Sequence, residues 1–222
     1  MPAIPKLIRV YLHSFAVALV LLSAPYGSLA QPEEQKLKSF FNSYLDERFA
    51  LRPIEATQLG DHRFDSRMEE LTPAARAKWL EQTRKTLEEL PKKVDYQKLS
   101  RAGQIDFETL QHHLKLQEWL TENFRPFEQD PRIYNEFISD GIYLLLTQSS
   151  LPLETNVSNA IARMAQIPRV VEAARANLRN PFRAHTETAI RQNHGAIGFY
   201  EREIFEFAGK TRQTANSNIS RS

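Results

Sequence analysis

The chain has 222 residues, 41% apolar and 25% charged, enough for one sizeable folded body or two small ones. Its formal net charge is +2, and Lys6 and Arg9 are the only charges in the first 30 residues, so the remainder is balanced and shows no basic stripe of the kind nucleic acid needs. The absence of cysteine excludes a disulfide framework, a thiolate site and a lipid-bearing cysteine after a leader.

Residues 1–30 read as a secretory signal. Lys6 and Arg9 form the short positive region, "VYLHSFAVALVLLSAP" the apolar run, and Ser28 and Ala30 the small residues before a cut. The competing reading is a membrane anchor. A spanning helix needs about 20 apolar residues. This run holds about 14, is interrupted by His13 and Ser14 and is closed by Pro25. The mature chain is expected to begin at Gln31, to be periplasmic or secreted, and to leave the membrane once the signal is cut.

From there prolines punctuate the chain. "EEQKLKSFFNSYLDERFALRP" places Leu37, Phe40, Phe41, Tyr44, Leu45 and Phe49 on one helical face and stops before Pro53. "PIEATQLG" predicts a short helix begun by Pro53 and closed by Gly60. "LTPAARAKWLEQTRKTLEELP" has Thr72 as N-cap and Pro73 in first position, with Leu80, Leu87 and Leu90 as its buried stripe and Pro91 after its end. A long helix is expected from about Arg101 to Phe124, begun by Ser100, with Phe107, Leu110, Leu114 and Gln117 on one face. Asp130 and Pro131 start the next. Two shorter helices are split at Pro168, and a last one runs from about Phe182 to Ala208.

No strand pattern survives. The expectation is an all-α fold of six to eight helices in an irregular array, incomplete on one side. Its bounds are a signal at 1–30, a helical region at 31–208 and a disordered polar tail at 209–222, whose residues cannot bury anything.

Chemistry-bearing motifs are few. There is no H-E-x-x-H. His185 and His194 share a predicted helix but point to opposite faces. His194 and Glu201 share a face, but about 10 Å of rise is too far for one ion. "GKT" at 209–211 lacks the earlier Gly of a phosphate loop, because position 204 is Ile204. No G-x-S-x-G occurs. Asn156 opens a formal glycosylation sequon. Phe40, Phe41, Trp79 and Trp119 sit at helical spacing, which reads as core. "GDHRFDSR" is the densest polar cluster. Either Asp61 and Asp65 organise a turn that Phe64 plugs into the core, or Asp61, His62 and Arg63 line a cleft.

Four stretches in order, "PIEATQLGDHRFDSRMEEL", "DPRIYNEFISDGIYLLL", "RMAQIPRVVEAARANLRNP" and "HTETAIRQNHGAIGFY", resemble the N-terminal half of the bacterial domain of unknown function 885 family over about residues 35–205. The resemblance implies an exported, largely helical protein, at least about twice this length in the full family. There the C-terminal half carries H-E-x-x-H and a downstream Glu, as in gluzincin-type zinc peptidases. On that reading the match ends near Phe207 and the chain is a truncated member. It walls a substrate cleft, with peptide the substrate expected of the full-length family, and is inactive alone. Zinc is expected only in the full-length family, with no cofactor and no catalytic residue here. The expected partner is the missing C-terminal half, or a second copy through the last helix. The alternative is a stand-alone periplasmic helical binding or interaction module.

Overall fold

The computed structural model describes residues 32–209; the expected signal at 1–30 and all of the expected tail but Gly209 lie outside the described residues. Seven helices of eleven residues or more and two short ones make an all-α array, with no strand among the described residues. They are α1 (Pro32–Leu51), α2 (Pro53–Gln58), α3 (Pro73–Lys93), α4 (Arg101–Asn123), α5 (Pro126–Gln129), α6 (Arg132–Thr147), α7 (Leu153–Met164), α8 (Ile167–Asn177) and α9 (Arg183–Gly198). None of the described helices is long and apolar enough to cross a membrane.

The caps are those the sequence implies. Thr72 Oγ1 accepts from the Ala75 N–H at 3.2 Å and Ser100 Oγ from the Gly103 N–H at 3.1 Å, each satisfying an orphan donor of a first turn. Asp130 Oδ1 does the same for the Arg132 N–H at 3.0 Å.

Other boundaries differ from expectation. α3 continues through Pro91 to Lys93. A proline removes one N–H, and the final turn is held by Leu90 and Val94, both buried, with the Val94 N–H bonded to the Leu90 carbonyl at 3.1 Å. The buried face of α3 is Trp79, Gln82, Thr83, Thr86 and Leu90, so Leu80 and Leu87 stand at its edge. Three of these are polar and find partners. Thr83 and Thr86 donate to carbonyls four residues back, and the Gln82 amide donates to the Tyr44 carbonyl. The break between α7 and α8 falls at Ala165 and Gln166, and Pro168 occupies the first turn of α8, where it is tolerated. The last helix contains a π-helical turn at Phe199–Glu203 and resumes over 204–209. Trp119, expected in the core, is 52% exposed on α4.

α1, α3 and α4 pack around one core of Leu37, Phe40, Tyr44, Leu90, Phe107 and Leu114. α6 is the axis of a second group, with α7, α8 and α9 laid against it. α2 bridges the two groups, packing on α1 and α6. It approaches α6 closely. A Cβ at Gly141 would lie 2.9 Å from Ile54 Cδ1, so only glycine fits without a shift. Ile54, Met68, Leu71, Trp79, Tyr134 and Val170 form the core at this junction.

Candidate functional site

The loop after α2 turns on Gly60, whose φ of +84° suits glycine. Asp61 then caps a 3₁₀ turn at His62–Phe64, accepting from the Arg63 N–H at 3.0 Å. The Arg63 guanidinium closes on Asp61 and reaches Asp46 at 2.7 Å, at the surface. The Arg63 hydrogen bonds hold the Asp61 carboxyl below its ordinary range. His62 spans Asp65 Oδ2 at 2.8 Å and Ser150 Oγ at 3.1 Å. None of Asp61, His62 and Arg63 lines the clefts described below. Phe64 is half-buried between the Arg63 and Arg67 guanidiniums rather than plugged into the core; Met68 and Leu71 do that.

Beneath the loop lies a polar network that sequence reasoning missed. Arg163 of α7 is fully buried. Its Nε donates to the Arg67 carbonyl at 2.8 Å, Nη1 to the Gly141 carbonyl at 2.6 Å and Nη2 to Thr57 Oγ1 at 2.6 Å. Thr57 Oγ1 also lies 2.6 Å from Asp65 Oδ1, which stands 4.0 Å from Arg163 Nη2. Burial lowers the Arg163 guanidinium to about 10, against the opposing pull of Asp65 and Glu69. Glu69 is also buried. Its Oε1 accepts from the Ile54 N–H at 2.9 Å, while Oε2 has no partner among the described residues. Burial raises its carboxyl to about 7. This network ties the loop to α2, α6 and α7.

A concavity runs between α3 and α4 on one side and α5 and α6 on the other. It encloses about 920 Å³, with Trp79, Leu120, Phe127, Ile133 and Phe137 as its apolar walls. Arg52, Trp79, Gln117, Glu136 and Phe137 continue it into a second hollow of about 490 Å³ beside α2, which Arg48, Glu55, Glu69 and Asp140 also line. The Arg52 guanidinium lies over the Trp79 ring, 4.5 Å from its centroid. Arg48 Nε holds Glu55 Oε1 at 2.7 Å, and Arg52 Nη1 stands 3.6 Å from Glu55 Oε2. Burial, with Arg48 as neighbour, depresses the Arg52 guanidinium; burial raises the carboxyls of Glu136 and Asp140. The groove pairs an aromatic floor with a cation, the mix of apolar wall and few polar groups found in ligand sites. A shallower depression between α1 and α3 is lined by Lys85, Lys93, Glu47 and Glu89; Lys85 reaches Glu47 across it at 3.5 Å, and Lys93 holds Glu89 along α3 at 2.7 Å.

Among the described residues no three His, Asp or Glu side chains converge to hold a metal ion. His185 Nδ1 stands 3.3 Å from Asp130 Oδ2, and His62 is engaged as above. Asn156 is buried, its amide donating to the Leu151 carbonyl at 3.0 Å, so its sequon is inaccessible in the folded chain.

The model of the family described as "Bacterial protein of unknown function (DUF885)" matches residues 53–221. The chain belongs to the DUF885 family. The match covers α2 to α9 and extends past Phe207, where the sequence resemblance was expected to end, through most of the tail. A solved structure from Shewanella oneidensis, described as a "putative lipoprotein of unknown function", is 28% identical with a TM-score of 0.70. That match covers 77% of this DUF885 chain and 31% of the other protein, so the chain spans under a third of that relative's length. No curated protein matches the sequence.

Proposed function

We propose that this chain is the N-terminal helical wall of a substrate cleft in an exported protein resembling zinc metallopeptidases, and that it is inactive alone. The observation that supports this is the groove of about 920 Å³, framed by α3 to α6, all within the DUF885 match. Its apolar walls and flanking charges suit an extended peptide, which offers side chains and polar ends together. A substrate-binding wall fits a stretch that spans under a third of its solved relative. That relative's description as a lipoprotein supports a location outside the cytoplasm, as does the apolar leader of residues 1–30. Zinc does not fit the described residues, and no chemical step is assigned to them.

Photoreactive short peptides test the reading. The purified chain is expected to be labelled along the groove between α3 and α6 and to leave the peptides uncleaved. Cleavage by the chain alone, or labelling elsewhere, would sink it. The alternative, a stand-alone periplasmic binding module, would use the same groove. It requires a monodisperse monomer.

A further inference from the structure

We infer that the groove floor around Arg52 and Trp79 is a subsite for a carboxylate that adjoins a bulky apolar group. This deepens the reading of the groove as a ligand cleft and rests on it. The first ground is charge. Two guanidiniums, Arg48 and Arg52, share the one Glu55 carboxylate, and Arg48 holds the closer oxygen. Arg52 is left with the longer contact of 3.6 Å. Its side chain is only 25% exposed, yet among the described residues its guanidinium donates no hydrogen bond. None of its nitrogens is both buried and unpartnered, so they reach solvent in the groove and stay open to a ligand. Glu69 adds only a longer-range attraction to Arg52, with no hydrogen bond between the two among the described residues.

The second ground is geometry. Arg52 lies 4.5 Å over the Trp79 ring and lines both hollows of the groove. The ring contact holds the guanidinium at the groove and leaves its N–H donors for a ligand. A planar fork held in this way matches a carboxylate through two parallel hydrogen bonds. The third ground is the wall. Phe127, Phe137, Leu120 and Ile133 line the cleft that Arg52 also lines and would bury a large apolar substituent attached near the carboxylate. Glu136 and Asp140 stand on the α6 wall of the second hollow, and burial raises both carboxyls.

A peptide C-terminus and a free alkanoate share this chemistry. The test is calorimetric titration of the purified chain with N-acetyl-alanyl-phenylalanine, with its C-terminal amide, and with octanoate. The free acid is expected to bind at least about tenfold more tightly than the amide, the loss of a charge-assisted hydrogen bond. Arg52→Gln is expected to abolish that preference, and Arg52→Lys to restore only part of it, both with an unchanged circular dichroism spectrum. Octanoate bound as tightly as the peptide acid, with the same Arg52 dependence, would support the subsite and identify its ligand as a simple alkanoate. Equal binding of acid and amide overturns the subsite while leaving peptide labelling of the groove intact. No binding of any carboxylate probe also overturns it. Carboxylate binding without peptide labelling would instead reject the peptide-cleft reading.

Discussion

The Arg163 guanidinium donates a 2.6 Å hydrogen bond to Thr57 Oγ1, joining α7 to α2 across 106 positions of sequence with no solvent at Arg163. The same side chain supports the Arg67 and Gly141 carbonyls. One cation therefore satisfies acceptors on the loop, α2 and α6.

Removing it strands those acceptors in a dry site. Arg163→Met is expected to destabilise the chain by about 3–5 kcal/mol, the range for breaking a buried charged network. Arg163→Lys should lose most of this too, because an ammonium cannot reach three acceptors in one plane. Urea unfolding of the purified chain measures it. A loss below about 1 kcal/mol would show that the network is not fully formed.

Glu69 gives a pH dependence of known sign. Its carboxyl is raised by burial from an ordinary value near 4.5 to about 7 in the folded chain. The folded state thus favours the protonated form, and the contribution to stability is fully present below about 4.5. It falls as pH rises towards 7 and is lost above that, on the order of 3 kcal/mol in total. Glu69→Gln, which keeps an acceptor for the Ile54 N–H, should flatten this part of the profile. Urea midpoints from pH 4.5 to 8.5 for both proteins give the comparison. Parallel profiles would contradict the assignment.

The Asp61 cap is a local effect. Asp61→Ala loses the bond from the Arg63 N–H and should lower stability by about 1 kcal/mol. Peptide binding should stay within twofold of the parent, because Asp61 lies outside the groove lining. Thermal melts and titration read the two outcomes. A large loss of binding at normal stability would return Asp61, His62 and Arg63 to the cleft.

Ile190, Ile197 and Phe205 are each more than half exposed. Seven residues separate the first pair and eight the second, and the π-helical turn at Phe199–Glu203 absorbs the extra one. The three thus keep one phase along the helix, an apolar stripe of the kind that marks an interaction surface. Sedimentation of the purified chain should show self-association and fluorescence should show binding of a hydrophobic dye. Ile197→Glu with Phe205→Glu should reduce both. A clean monomer without dye binding would favour the stand-alone module.

Sequence alone determined the helices. Thr72, Ser100 and Asp130 announce their caps, Pro53 and Pro73 their first turns, and the periodic face of α1 and α4 its core, because capping and the 3.6-residue repeat act within about four residues. The ordered motifs likewise carry the DUF885 family. "RMAQIP" is among them, yet nothing in it reveals that Arg163 is wholly buried. That depends on carbonyls and a hydroxyl supplied from 22, 96 and 106 positions away. Arg52 and Trp79 stand 27 positions apart and meet because α1, which Arg52 follows, packs on α3. Glu69 reads as one more surface acid until α2 closes over it. Tertiary structure decided these three, since burial and charge pairing are set by which distant groups share a dry space, and one helix does not encode its neighbours.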